Sequence, residues 1–125
     1  MIIGTGVDIV EIARLRKVMD RLKDRFIGRV FTPGEQQFCS VHRDPAPHFA
    51  ARFAAKEALF KALGTGWAQG VTWLDVEVHR ERQGAPTMVL RGEAERLSIS
   101  KGASKVHLSL SHTEQWAVAT VILES

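Results

Sequence analysis

The chain contains a single cysteine, Cys39, among 125 residues. That excludes an internal disulfide, leaves nothing for a metal–thiolate cluster, and makes a reducing compartment the natural setting. No stretch approaches the roughly 18 consecutive apolar residues of a membrane span. The opening Met1-Ile2-Ile3-Gly4-Thr5-Gly6 lacks the basic start and long apolar run of an export signal, so a cytoplasmic location is expected. No two histidines or cysteines stand at zinc-ligand spacing, which speaks against a zinc centre. No Walker or dinucleotide-binding pattern occurs, and no nucleophile elbow. Internal repeats, low-complexity tracts and linkers are likewise missing, so residues 1–125 are expected to form one domain.

What is present is the composition of an ordered domain, with 45% hydrophobic and 25% charged residues. Such a chain can bury a core but is short for an enzyme with a deep cleft of its own, and an oligomer would supply further walls. Seventeen Lys and Arg against fourteen Asp and Glu give +3, which mildly favours an acidic partner or a phosphorylated ligand. Many of the basic residues come early, at Arg14, Arg16, Lys17, Arg21, Lys23, Arg25 and Arg29.

Residues 2–10 are β-branched and punctuated by glycine, the pattern of a buried strand whose glycines admit a close neighbour. Asp8 is the anomaly in it. Asp8-Ile9-Val10-Glu11 has capping-box spacing for a helix running to about Asp20, and a ligand role stands beside that reading. The first helix places Ile12, Leu15, Met19 and Leu22 on one stripe and Arg14, Lys17, Arg21 and Arg25 on other faces, either as a solvated surface or as a docking face for an acidic protein. Thr32-Pro33-Gly34-Glu35 starts a short helix to about Val41. Pro45 and Pro47 then predict a loop over 42–48. The stretch from Arg52 to Gly66 is a helix apolar nearly all round, hence buried, and Gly64 and Gly66 stop it. Within it, Arg52 and Lys56 project toward the aromatic side and Glu57 lies at the edge with Lys61 one turn on. Intrahelical salt bridges and a functional cluster are the two explanations of those charges. Residues 72–79 alternate as a half-exposed strand, with Asp75 and Glu77 outward. A second strand spans Thr87–Leu90, a modest helix runs from Gly92 to about Ser100, and Lys105–His112 and Trp116–Glu124 make an antiparallel hairpin. His112 shares the apolar face of Val106, Leu108 and Leu110, where a satisfied core histidine competes with a catalytic one. The economical fold class is α+β.

Asp8 and Glu57 are the carboxylates expected beside apolar surroundings, and a shared Mg²⁺ would explain both, since a site with one or two carboxylates completes its octahedron with water and substrate phosphate. Arg52, Lys56 and Lys61 then suit a phosphoanhydride substrate. Gly64-Thr65-Gly66 closes the C-terminal end of its helix, where the macrodipole repels anions, so it reads as a helix stop and a close-approach surface for a flat ring.

Three segments together resemble the holo-acyl-carrier-protein synthases, the small 4′-phosphopantetheinyl transferases. They are Ile3-Gly4-Thr5-Gly6-Val7-Asp8-Ile9-Val10-Glu11-Ile12, then Arg52-Phe53-Ala54-Ala55-Lys56-Glu57-Ala58 continuing to Lys61-Ala62-Leu63-Gly64-Thr65-Gly66, and Leu108-Ser109-Leu110-Ser111-His112-Thr113. The resemblance runs over essentially the whole chain. It implies the 4′-phosphopantetheinyl transferase fold, an antiparallel sheet packed on a long central helix and assembling as a trimer with active sites between subunits. It also implies transfer of 4′-phosphopantetheine from coenzyme A to a serine of an acidic apo acyl carrier protein, releasing adenosine 3′,5′-bisphosphate, in fatty acid biosynthesis. In that family Asp8 and Glu57 match the Mg²⁺ ligands. Lys61 matches a lysine near the pyrophosphate, and Arg52, His112 and Thr113 match positions lining the nucleotide site, to which Gly64, Thr65 and Gly66 are added. Arg14, Arg21 and Arg25 match the carrier-docking surface. Glu57, a metal-bound water and His112 stand as candidate bases. Lys56 is the charge without an assigned role, a structural partner for an acid elsewhere.

Two other classes compete. A small Mg²⁺-dependent pyrophosphohydrolase would call for denser carboxylates, and a basic nucleic-acid or acidic-protein module would leave Asp8 and Glu57 without purpose.

Overall fold

A computed structural model of the chain describes residues 1–64, 70–80 and 84–125. The expected coenzyme contacts Thr65 and Gly66 lie outside the described residues.

The elements follow in the order β1 (Ile2–Glu11), α1 (Ile12–Leu22), α2 (Asp24–Val30), α3 (Pro33–Ser40), α4 (Ala46–Leu63), a 3₁₀ turn (Trp73–Asp75), β2 (Val76–Arg80), β3 (Pro86–Leu90), α5 (Gly92–Ser100), β4 (Lys105–His112) and β5 (Trp116–Glu124). An antiparallel sheet in the order β1-β5-β4 packs against α4, and β2 and β3 form a separate antiparallel ribbon. This is the α+β arrangement of sheet on central helix, and the β4–β5 hairpin has the expected bounds.

The strand and the helix meet through small residues. A side chain added at Gly4 or Gly6 would run into the carbonyl oxygens of Ala62 and Ala58 on α4. Glycine on one side and alanine on the other let the backbones approach, and α4 is buried over most of its length, including Phe49, Ala54, Ala55, Ala58, Leu59 and Leu63. Gly64, at φ 77°, caps it in the left-handed region.

Several expectations are corrected. Asp8 is no helix cap: β1 pairs with β5 through Glu11 opposite Trp116, so Asp8 sits inside the ladder opposite Ala119, and α1 begins only at Ile12. Nor is β1 a buried strand. Gly4, Gly6, Asp8 and Val10 turn toward α4 while Val7 and Ile9 remain 56% and 62% exposed, because none of the described residues covers the outer face. The first helix breaks at Lys23, φ 49°, which puts Arg25 on α2 rather than on the helix of Arg14 and Arg21. The prolines do not enforce a loop over 42–48: Pro45 is the N-cap of α4 and Pro47 falls in its first turn, where a missing N–H costs nothing. Residues 73–75 are a 3₁₀ turn held by reciprocal caps between Thr72 and Asp75. Glu77 turns inward, bound by the Thr32 hydroxyl, by His79 Nε2 at 2.7 Å and by Arg91 Nη2 at 3.2 Å, which together hold its carboxyl below the usual range.

Candidate active site

Helix α4 divides its charges between two sides. Arg52 and Lys56 are separated by about 40° around the axis, as are Glu57 and Lys61, whereas Arg52 and Glu57 stand about 140° apart. Arg52 and Lys56 carry like charges, and Lys61 bonds to Asp8 and not to Glu57 within the helix. On one side Lys61 Nζ reaches across to β1, donating to Asp8 Oδ1 at 2.9 Å and to the Val7 carbonyl at 3.0 Å. Glu57 faces the same place. Burial pushes its carboxyl up, the Asp8 charge pushes it further, and Lys61 opposes both.

Asp8 and Glu57 line a cleft of about 500 Å³. Its polar rim includes Glu11 and Arg14, and its apolar walls are Leu15, Val18, Phe26, Phe53 and Trp116. One lysine cannot neutralise two carboxylates, and the Asp8 charge reaches Glu57. The donor set is oxygen only, which is what a hard divalent cation takes. Among the described residues no group of three His, Cys, Asp or Glu is arranged to hold a metal, so Asp8 and Glu57 would leave most of an octahedron to water and phosphate oxygens.

The other side of α4 is different. Lys56 is fully buried and bonded to Glu35 Oε1 at 2.7 Å and to the carbonyls of Val30 at 2.6 Å and Trp73 at 3.1 Å. It is the structural partner of an acid on α3. Arg52 is also buried, 2% exposed, with its guanidinium 4.0 Å above the Phe38 ring and Nη1 3.4 Å from the His48 carbonyl. Its Nε and Nη2 have no hydrogen-bond partner among the described residues. Arg52 lines a cleft of about 350 Å³ with Gly34, Phe38, Glu77, His79 and Arg80. An unpaired buried guanidinium with a second arginine at the rim suits an anion.

His112 is exposed and lines a third hollow with Asp44, Pro47, Thr113 and Glu114, so it is not a core histidine. The Thr113 hydroxyl accepts from the backbone N–H groups of Gln115 and Trp116 and sets the turn. Gly64 is exposed at the end of α4. Arg14, Arg21 and Arg25 are exposed, and Arg14 alone of the three reaches the acidic cleft.

The chain thus brings Asp8, Glu57 and Lys61 together and keeps Arg52 and His112 apart from them. Sequence reasoning missed Glu11 as a cleft residue, because capping-box spacing absorbed it. It also took Phe53 for core, although the Phe53 ring stacks on Trp73 at 5.1 Å and forms part of the cleft wall.

Comparison with known proteins fits this geometry. Residues 4–121 match the model of the 4′-phosphopantetheinyl transferase superfamily. The holo-[acyl-carrier-protein] synthase of Koribacter versatilis is 54% identical over 124 residues, 99% of each chain. The crystal structure of holo-[acyl-carrier-protein] synthase from Neisseria meningitidis superposes with a TM-score of 0.89 at 34% identity, covering 100% of both chains. That of the Helicobacter pylori enzyme in complex with coenzyme A gives 0.84 at 31% identity, over 96% of this chain and 99% of the other. A match that spans the chain end to end, in sequence and in fold, places it in the holo-acyl-carrier-protein synthase family of 4′-phosphopantetheinyl transferases.

Proposed function

We propose that this protein transfers the 4′-phosphopantetheine group of coenzyme A to a serine of an acidic apo acyl carrier protein, in fatty acid biosynthesis. The observation that carries the reading is the Asp8–Glu57–Lys61 cluster at the mouth of the 500 Å³ cleft, in a chain whose relatives bear the synthase name and one of which holds coenzyme A. Asp8 and Glu57 would hold Mg²⁺, which when bound offsets negative charge on the diphosphate oxygens. Lys61, already fixed between Asp8 and the Val7 carbonyl, adds a positive charge that needs no rearrangement. The serine oxygen bonds to the phosphorus that carries pantetheine. The bond from that phosphorus to the bridging oxygen breaks, and adenosine 3′,5′-bisphosphate departs with the electron pair. Glu57, or a water that it holds, takes the serine proton. His112 lines a different hollow of the same chain, among the positions assigned to the nucleotide.

Arg52, His112 and Thr113 receive the nucleotide end of coenzyme A, with Gly64, Thr65 and Gly66 beside it. They reach the acidic cleft of another copy of the chain, in a homotrimer. The outer face of the sheet supports that assembly: Thr5, Val7 and Ile9 of β1 lie in register with Ile122, Thr120 and Val118 of β5, and Val7 and Ile9 are exposed. Arg14, Arg21 and Arg25 dock the acidic carrier beside the cleft that Arg14 rims. No helix among the described residues is long and apolar enough to cross a membrane, and the enzyme works as one cytoplasmic domain.

The test is a mass measurement. Purified protein with Mg²⁺ and coenzyme A should raise an apo acyl carrier protein by one phosphopantetheine, and no change across several apo carriers would sink the assignment.

A further inference from the structure

Strand β1 is an edge of its sheet, with β5 on one side only. In an antiparallel ladder, opposite residues alternate between pairs that exchange both backbone hydrogen bonds and pairs that exchange none. The Ile12 N–H donates to the Gln115 carbonyl at 2.9 Å, one step beyond Glu11 opposite Trp116, so Val10, Asp8 and Gly6 give their backbone groups to β5. Glu11, Ile9 and Val7 therefore point theirs the other way. Two observations agree. The Thr113 N–H donates to the Trp116 carbonyl at 2.8 Å, which by the same alternation turns Trp116 and Val118 toward β4, and Lys61 Nζ takes the Val7 carbonyl at 3.0 Å from the open side.

Lys61 occupies that carbonyl, and the Glu11 carbonyl, at the N-cap of α1, accepts the first bond of the helix. The N–H and carbonyl of Ile9 and the N–H of Glu11 are left, a row of donor, acceptor and donor with no partner among the described residues. The row opens into the 500 Å³ cleft. That cleft is lined by Asp8 and Val10 from the α4 face of β1 and by Ile9 and Glu11 from its outer face, and a hollow that touches both faces of one strand runs along its edge. Across it stand Leu15, Val18, Phe26 and Phe53, all apolar. An unpaired strand edge facing apolar walls suits an extended chain that carries amides and no charge.

We infer that the free edge of β1 at Ile9 and Glu11 binds the pantetheine arm of coenzyme A in the manner of an added strand. The inference rests on the transferase reading and names the recognition element for the transferred group. The arm leaves the diphosphate where Asp8, Glu57 and Lys61 gather, next to Ile9 on the same strand. Its two amide groups offer carbonyls to the N–H groups of Ile9 and Glu11 and an N–H to the Ile9 carbonyl, while its dimethyl carbon meets the apolar walls.

Proline tests the edge directly. Glu11 has φ −77°, which proline adopts, and its N–H takes no part in the ladder, so Glu11→Pro removes the donor and keeps the strand. Glu11→Ala controls for the side chain. Calorimetry with Mg²⁺ should show Glu11→Pro binding coenzyme A about three- to tenfold more weakly than Glu11→Ala, the loss of one hydrogen bond. Both variants should bind 3′-phosphoadenosine 5′-diphosphate alike, because it keeps the diphosphate and lacks the arm. An equal loss for the two nucleotides, or no loss, overturns the inference. If the parent binds neither nucleotide, the transferase reading falls and takes this one with it. Amide hydrogen exchange by NMR on the parent decides without any variant. The Ile9 and Glu11 amides should exchange fast in the free protein and with 3′-phosphoadenosine 5′-diphosphate, and slowly with coenzyme A. Protection already present without ligand means that the edge is paired within the assembly, and it overturns the inference, as does exchange that coenzyme A leaves unchanged.

Discussion

Replacing Lys56 by methionine should destabilise the protein severely while leaving its chemistry intact. The ammonium spends all three of its protons inside the fold, on Glu35 Oε1 and on the Val30 and Trp73 carbonyls. Both members of the ion pair are fully buried. Methionine fills nearly the same volume, so the cavity contribution is small. The cost comes from a carboxylate and two carbonyls left without their donor, and breaking a buried pair by removing one partner costs about 3–5 kcal/mol. Glu35 keeps the backbone N–H groups of Thr32 at 2.9 Å and Val78 at 2.8 Å, which puts the expectation toward the lower end. Urea denaturation at pH 7 and one fixed protein concentration reads the change, since an oligomer's stability depends on concentration. Adding Glu35→Gln should recover about 1–2 kcal/mol, because the amide leaves no unpaired charge. A loss below about 1 kcal/mol for Lys56→Met would refute the argument from the buried pair. Abolished turnover in fully folded variant would show instead that Lys56 takes part in the transfer.

Four further outcomes follow from the site and the sheet. Asp8→Ala and Glu57→Ala should abolish transfer with the fold retained, and near-normal activity of either at limiting Mg²⁺ would mean the metal site is misplaced. Glu57→Gln should in addition stabilise the metal-free protein at pH 7. The raised carboxyl makes the folded state hold its proton more tightly than the unfolded chain, so stability falls as pH rises through the window above the unfolded value of about 4.3 and stays lower beyond it. Thermal melts of the two proteins should therefore converge below that window, and a gain that persisted there would contradict the cause. Reversing the charge of Arg14 and Arg21 should raise KM for the carrier more than for coenzyme A, with a marked salt dependence in the parent. Ile9→Lys places a charge on the uncovered face of β1 and should shift light scattering from trimer to monomer, whereas an unchanged mass would remove that face from the assembly.

The fold was legible where a short-range pattern has one physical outcome. Thr32 and Glu35 form the reciprocal cap that their spacing promised, Gly64 ends α4, and the β4–β5 hairpin has the bounds that period-two alternation set. It was illegible where long-range pairing overrode a local signal. Asp8 and Glu11 have the spacing of a cap, yet the three further ladder pairs of Ile9, Val10 and Glu11 with β5 outweigh one side-chain hydrogen bond. Pro45 and Pro47 looked like breakers because the rule for helix interiors was applied two residues too late, where the first turn tolerates both.

The site shows the same division more sharply, because α4 could be phased but not surrounded. Helical arithmetic sets Arg52 with Lys56 and Glu57 with Lys61, and leaves intrahelical salt bridges and a functional cluster both open. The partners come from elsewhere: Glu35, forty-odd positions from the strand whose Val78 N–H it also binds, and Asp8 at the far end of the chain from the hairpin that orders it. A charge on a buried helix is therefore assigned by whichever element packs over it. Strand β1 brings a carboxylate and leaves Glu57 in excess, which calls for a cation. Helix α3 brings a carboxylate that Lys56 consumes and an aromatic ring that offers Arg52 no acceptor, which calls for an anion. One helix thus asks for opposite charges on its two sides, a cation beside Asp8 and Glu57 and an anion beside Arg52.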